Sequence, residues 1–345
     1  MHLPHLSPLK ISRPKLTVAD FFAGIGGIGL GFKQAGFKIV YANEIDKFCC
    51  QTYRANFGDI DDRDVKEVSA SEIPDFDVLL AGFPCQPFSR AGHRKGLDDP
   101  RGNLFFELEK IIEAKRPRAF LLENVRFLQK HDGGKTLEKI MYVLENRLGY
   151  FVPPPKVLNS RNFGVPQNRE RIYIVGFRES TEFIFPEGNV KTSRVKDVLE
   201  RNVDEKYFLS QLYMDCLVRH KKHHEKLGHG FGFRIIDPDG VANALTVGRM
   251  GRERNLIEES RRPINRNNFG LRMLTVRECA RVQGFPDSFV FPVSNNQAYK
   301  QLGNAVSVPV VKEIAIAMHR ALNDKERPED VGVVEVTSNL KLNRF

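Results

Sequence analysis

Apolar residues in the first half of the chain fall into two alternating patterns. Short unbroken runs, LTVADFF, KIVYANE, DVLLAGF, RAFLLENV and RIYIVGF, have the length and the β-branched or aromatic content of strands buried on both faces. Between them lie stretches with a helical repeat. In NLFFELEKIIEAK, Leu104, Leu108, Ile111 and Ile112 share one face, and in TLEKIMYVLENRLG so do Leu137, Ile140, Met141 and Leu144. Strand and helix alternating from Lys15 to about Phe177 predict an α/β fold with a doubly wound, mostly parallel sheet. Beyond Phe177 the pattern breaks into short mixed segments rich in Gly, Arg and Asn. Helical periodicity returns in TVRECARVQGF and VVKEIAIAMHRAL, so the carboxyl end is expected to pack back onto the first domain. The expected division is a larger domain over 15–186 plus 300–325, a smaller, mainly β or irregular domain over 187–272, a hinge over 273–299, and tails at 1–14 and 326–345.

Composition narrows the class. With 345 residues, 41% of them hydrophobic, the chain buries a substantial core. No run approaches the roughly 18 apolar residues of a membrane span. The amino-terminal MHLPHLSPLKISRPK lacks the apolar core of a signal peptide, so a cytoplasmic location is expected. The five cysteines (49, 50, 85, 216, 279) include no C-x-x-C pair, which predicts free thiols and argues against a disulfide framework or a cysteine-rich zinc site. The net charge of +10 is unevenly placed: residues 219–272 hold twelve Lys and Arg against six Asp and Glu. Such a basic surface beside a larger domain favours a polyanion such as nucleic acid.

Four segments carry three kinds of candidate chemistry. The first strand runs into DFFAGIGGIGLGF, with G-x-G-x-x-G at Gly24, Gly26 and Gly29 ahead of a helix. Glycines let backbone approach a ligand, and the helix amino terminus offers free N–H groups. Glu44 ends the next strand, where a carboxylate can accept from ribose hydroxyls. A nicotinamide dinucleotide and S-adenosylmethionine both fit this loop. The second segment, GFPCQPFS, puts Cys85 between Pro84 and Pro87 just after an apolar strand, holding a thiol rigidly where open α/β sheets place ligands. The third chemistry is polar: Glu123 closes RAFLLENV, and Arg169 and Arg171 alternate in QNRERIYIVGF, so both point to one side. A dinucleotide oxidoreductase would call for a His, Tyr or Lys proton donor at these strand ends, whereas Cys85 and Glu123 point to covalent catalysis on a base.

These segments resemble the cytosine-C5 DNA methyltransferases. DFFAGIGG is similar to that family's cofactor loop, GFPCQPFS to its Pro-Cys nucleophile segment, ENV to its Glu-Asn-Val segment and QNRERIYIVG to its Gln-x-Arg-x-Arg segment. RECARVQGFP and QAYKQLGNAVSVPV are similar to its two closing segments, and all six stand in the family's order. The resemblance implies a Rossmann-like, S-adenosylmethionine-dependent catalytic domain facing a smaller target-recognition domain, monomeric action on double-stranded DNA, and a role in restriction and modification. It implies that Cys85 adds to C6 of cytosine, that Glu123 bonds N3 and the exocyclic amine, that Arg171 orients O2 and that Arg169 supports the site. It further implies a cofactor pocket lined by Phe22, Ala23, Gly24, Gly26 and Gly27, with Glu44 on the ribose, Ile45 against the adenine, Asp64 with Val65 at the adenine amine and Asn304 near the methionine end. Members often carry Trp where this chain has Ile45, and the chain has no Trp.

The target base must leave the stack for such chemistry. The polar loop from Gln86 to Gly102 suits a lid, with Gln86 a candidate to fill the vacated stack and Ser89 and Arg101 candidate phosphate contacts. In the smaller domain Arg249, Arg252 and Arg254 are candidates for guanine or phosphate contacts. His220, His223, His224 and His229 lack a Cys or acidic partner at ligand spacing, so no metal is expected. An RNA cytosine methyltransferase of similar fold is the nearest alternative, followed by a nicotinamide oxidoreductase and a catalytically silent DNA-binding protein. The variable region is sized for a target of about four to six base pairs.

Overall fold

The computed structural model describes residues 15–83, 104–230, 232–247, 252–260 and 267–323. The strands in chain order are β1 (Thr17–Phe21), β2 (Lys38–Asn43), β3 (Val78–Gly82), β4 (Ala119–Val125), β5 (Lys156–Asn159), the two-residue β6 (Gln167–Asn168) and β7 (Glu170–Phe177). Six of them form one sheet in the order β2-β1-β3-β4-β7-β5. β2, β1, β3 and β4 are parallel neighbours, while β7 is antiparallel to both β4 and β5. The sheet is therefore mostly parallel as expected, but RIYIVGF is its reversed member. A short connection from β5 to β7 permits antiparallel pairing without a crossover helix. β5 was not predicted, because four residues with the burial of an outer strand leave no apolar run to read.

Alternation along each strand sorts side chains onto two faces. Leu79 and Ala81 of β3, Phe120 and Leu122 of β4, and Ile172 and Ile174 of β7 pack beneath α3 (Leu104–Lys115) and α4 (Lys135–Tyr142). Val78 and Leu80, Ala119 and Leu121, and Tyr173, Val175 and Phe177 pack on the other face against α1 (Gly27–Gln34) and α8 (Val308–Asn323). The carboxyl-terminal helix thus returns to the first domain, as its periodicity predicts. α2 (Lys47–Phe57) follows β2, N-capped by Asp46.

The segment between the sheet and α8 holds α5 (Gln211–Lys226), β8 (Ala242–Asn243), β9 (Leu256–Glu258), β10 (Leu271–Met273), α6 (Val276–Val282) and α7 (Asn295–Asn304). β9 pairs with β10 antiparallel, and β8 pairs with β6 parallel. Sequence periodicity missed α7 because its buried face is Ala298, Gln301, Leu302 and Gly303, half of it polar or without a side chain. An ion pair anchors the start of α6. Arg272, 0% exposed, bonds Glu278 through both terminal nitrogens at 2.8 and 3.0 Å, and Glu278 closes a capping box with Thr275.

Candidate active site

Strand parity brings the polar groups together. β1 leads to β2 on one side while β3 lies on its other side, so the chain direction switches between β1 and β3 and a crevice opens at their carboxyl ends. Asp20, Gly82 and Glu123 share parity with the α1/α8 face of their strands. Glu123 pairs with Gly82 on one side and Tyr173 on the other. Arg171, two residues from Tyr173, shares that face and reaches diagonally across the ladder. Its Nε stands 3.0 Å from Glu123 Oε1. A Cβ on Gly82 would sit 3.5 Å from Glu123 Oε2, so the missing side chain leaves that carboxylate face open toward the strand end.

Glu123 is 8% exposed. Burial raises its pKa, against the pull of the Arg171 and Arg169 guanidiniums. A carboxyl so tuned can carry a proton to donate while its other oxygen accepts. The neighbouring Asn124, 2% exposed, donates from Nδ2 to the Phe83 carbonyl at 3.3 Å and accepts from the Val125 N–H at 2.8 Å. It fixes the last described turn of chain before Pro84. Sequence reading singled out ENV for Glu123 and missed this anchoring by Asn124. Cys85 itself, with Gln86, Ser89 and Arg101, lies outside the described residues, as does Arg249.

Arg169, expected to support the site, is bound to backbone carbonyls. Its guanidinium donates to the carbonyls of Leu245 at 2.7 Å, Gly303 at 3.0 Å and Ala305 at 2.7 Å. Being 2% exposed, it holds three chain segments together and adds positive potential near Glu123.

The glycine loop lies at the crevice. Phe22, Gly24 and Gly26 all have positive φ (52°, 57° and 83°), which for Phe22 is a strained conformation held by its surroundings. Gly26 is the N-cap of α1 without a side-chain cap, and a Cβ there would overlap the Phe57 ring at 2.4 Å. The helix amino terminus therefore takes no cap from the side chain of residue 26, and of its first-turn N–H groups that of Gly29 is held by Asp20. Ala23 and Gly27 are buried behind the loop. Glu44 Oε2 accepts from Gly24 N–H at 2.9 Å and Oε1 from Asp46 N–H at 2.8 Å. Its carboxylate thus ties the loop to the β2 end and leaves one lone pair on each oxygen. Burial raises its pKa, with the backbone N–H groups of Asp46, Gly24 and Ile45 opposing.

Ile45 is 61% exposed beside Glu44, an apolar shelf, and Asn304 is exposed at the end of α7. Asp64 caps the turn Val65–Glu67 through the Lys66 N–H at 3.0 Å, and the Val65 side chain is buried in the cluster that packs beneath α3 and α4. The donor set fits S-adenosylmethionine: backbone N–H groups at a helix start, a strand-end carboxylate and an exposed apolar shelf. Sequence reading also missed Asp20. It is fully buried, accepts from Gly29 N–H at 3.0 Å, and is pushed by burial up to about 7.

In the second segment Arg252 lies 5.1 Å over the Tyr299 ring and bonds Asn296 at 3.1 Å, while Arg254 is half-buried. The histidines of α5 crowd one another, His220 and His224 with ring centroids 4.3 Å apart and planes tilted by 55°. Among the described residues no group of three His, Cys, Asp or Glu could hold a metal, and no helix is long and apolar enough to cross a membrane.

Comparison with known proteins agrees with this layout. The Type II methyltransferase M.HpaII of Haemophilus parainfluenzae is 50% identical over 315 residues, covering 87% of this chain and 88% of its own length. M.DsaV of Dactylococcopsis salina is 42% identical over 332 residues, covering 94% and 92%. Among solved structures, the Entamoeba histolytica methyltransferase EhMeth shares the fold with a TM-score of 0.74 at 20% identity, over 91% of this chain and 99% of that one. Residues 16–320 match the model of the family described as C-5 cytosine-specific DNA methylase, and the chain belongs to that family.

Proposed function

We propose that the chain transfers a methyl group from S-adenosylmethionine to C5 of cytosine in a short duplex DNA sequence, as the modification partner of a Type II restriction system. The observation that carries this reading is the buried Glu123–Arg171 pair set against Gly82 at the crevice. Cys85 follows Gly82 by three residues, so covalent geometry alone keeps its Cα within about 11 Å of that strand end.

The residues divide the work. Cytosine C5 is a poor nucleophile, and Cys85 thiolate adding to C6 turns the ring into an enamine. Glu123, its pKa raised by burial, donates a proton to N3 and accepts from the exocyclic amine, so negative charge does not accumulate on the ring. Arg171 holds Glu123 in place and directs its remaining donors toward O2. The glycine loop, Glu44 and the α1 amino terminus hold the methyl donor, which supplies an electrophilic methyl on sulfonium. Methylated C5 then loses its proton to a base, Cys85 departs as thiolate, and N3 returns its proton to Glu123, restoring the neutral aromatic ring. The target cytosine is flipped out of the duplex for C6 to be reached. The division into catalytic and recognition domains, with the basic 187–272 segment facing DNA, belongs to the same proposal.

The test is incubation with S-adenosylmethionine and duplex DNA containing 5-fluorocytosine, followed by denaturing electrophoresis. Fluorine cannot leave as a cation, so the adduct persists. The expected result is a trapped complex that Cys85→Ala abolishes. Trapping on RNA but not on duplex DNA would refute the substrate; trapping by the Cys85→Ala protein would refute the nucleophile.

A further inference from the structure

One edge of the six-stranded sheet is open beside a groove. β2 is the outermost strand on its side. Near its carboxyl end Asp61 closes the edge, donating to Ala42 O at 2.9 Å and accepting from Glu44 N–H at 3.0 Å. Among the described residues no strand lies outside positions 38–41. Lys38 N–H donates inward to Leu16 O at 2.9 Å, and along a parallel ladder the next residue turns the other way. Ile39 therefore directs its backbone N–H and C=O outward, half-buried and unpaired among the described residues.

The groove along this edge has a volume of about 580 Å³. Phe37, Ile39, Tyr53 and Phe57 give it apolar walls, and Lys15, Lys33 and Lys38 surround it against a single carboxylate, Asp59. All three lysines are exposed, and none is ion-paired among the described residues. Lysines that merely blunt an edge sit on the edge strand. Here only Lys38 does: Lys15 precedes β1 and Lys33 lies in the last turn of α1, so positive charge reaches the groove from three elements. Phe37 and Tyr53 are 3% and 1% exposed. They form a floor and offer no open ring face on which a base could stack, so the groove does not suit single-stranded nucleic acid.

We propose that this groove docks an extended acidic segment of a partner protein, which lies along β2 as an added strand. Its backbone pairs with Ile39, its apolar side chains rest on the Phe37 and Tyr53 floor, and its carboxylates meet Lys15, Lys33 and Lys38. Main-chain hydrogen bonds supply affinity in such strand addition, and the lysines select an acidic partner over a basic one. Lys15 and Lys38 stand at strand starts, whereas the crevice lies at the carboxyl ends of the same strands. The partner therefore docks away from the crevice and leaves it open. This inference does not depend on the methyl-transfer reading.

The probe is a blocked, fluorescein-labelled peptide that alternates Glu with Val over about eight residues, long enough to cover the open edge. Fluorescence anisotropy measures its Kd for the full chain and for the double variant Lys33→Glu, Lys38→Glu, and hydrogen exchange read by mass spectrometry follows positions 38–41. Saturable binding with slowed exchange at 38–41 is expected, weakened at least about tenfold in the double variant. The same peptide with every amide N-methylated keeps its charge, cannot pair with a strand, and is expected not to bind. Both substituted lysines are exposed, so the double variant keeps the fold, as melting curves will report, and the exchange measurement on the native chain needs no variant. Absence of saturable binding would overturn the proposal. So would equal binding of the N-methylated peptide, which would reduce the groove to a charged surface. A double variant within about twofold of the native Kd would remove the lysines from the site and overturn it as well. Protection of 38–41 by oligothymidylate in place of the peptide would assign the groove to nucleic acid instead.

Discussion

Replacing Asp20 by Asn should flatten the dependence of stability on pH. Asp20 is completely buried in β1, where one oxygen accepts from Gly29 N–H, and burial with the nearby Glu44 charge outweighs that bond to push its pKa from 3.8 to about 7. A carboxyl with a raised pKa keeps its proton in the native state while the unfolded chain releases it. The native state therefore holds more protons between about pH 4 and 7, and stability falls as pH rises through that window. About three pH units at 1.36 kcal/mol each gives a loss of about 4 kcal/mol. Asn offers the same acceptor to Gly29 and no titration, so whatever constant penalty its amide incurs is independent of pH. Urea unfolding of both proteins at intervals from pH 4 to pH 8 measures this, because titrating groups that do not interact with Asp20 cancel in the difference. The native protein should lose about 4 kcal/mol relative to Asp20→Asn across the range. Parallel profiles, with a difference changing by less than about 1 kcal/mol, would mean that Asp20 is ionised throughout and that burial does not dominate its environment.

Glu123→Gln should lower kcat about 10²- to 10³-fold while leaving cofactor affinity nearly unchanged; because burial raises the Glu123 pKa, the native rate should fall on the alkaline side as that proton is lost, and a Gln variant with the same alkaline limb in a pH–rate profile would refute the assignment. Asp64→Ala should weaken S-adenosylhomocysteine binding more than DNA binding, read by calorimetry and gel shift, and the reverse order would sink its adenine role. Glu278→Ala strands the fully buried Arg272 guanidinium with only Glu259 as a carboxylate partner and should cost about 3–5 kcal/mol in urea unfolding; a loss under about 1 kcal/mol would show that the pair is not needed to seat α6.

The sequence by itself determined most of the sheet and its chemistry. Short unbroken apolar runs rich in β-branched and aromatic residues read as buried strands, and the placement of Glu44, Glu123 and the glycine loop at strand ends needs no coordinates, because parallel sheets gather those ends at one edge. Parity along QNRER predicts one side for Arg169 and Arg171, but Arg169 falls between β6 and β7, where strand alternation does not apply. Tertiary structure alone decided what each arginine touches: Arg171 meets Glu123 because β7 runs antiparallel to β4 in a register that sets Tyr173 opposite it, and reversal of a strand leaves no mark on its apolar pattern. Arg169 instead meets carbonyls contributed 76 to 136 residues away, a pairing in which the partners are backbone and so carry no residue type to read. The same reason hid Gln167 and Gln283, which bond the Leu245 N–H and the Leu302 carbonyl, and the helix α7. Their role is to satisfy buried carbonyls and allow close approach, and that need arises only after the chain has folded.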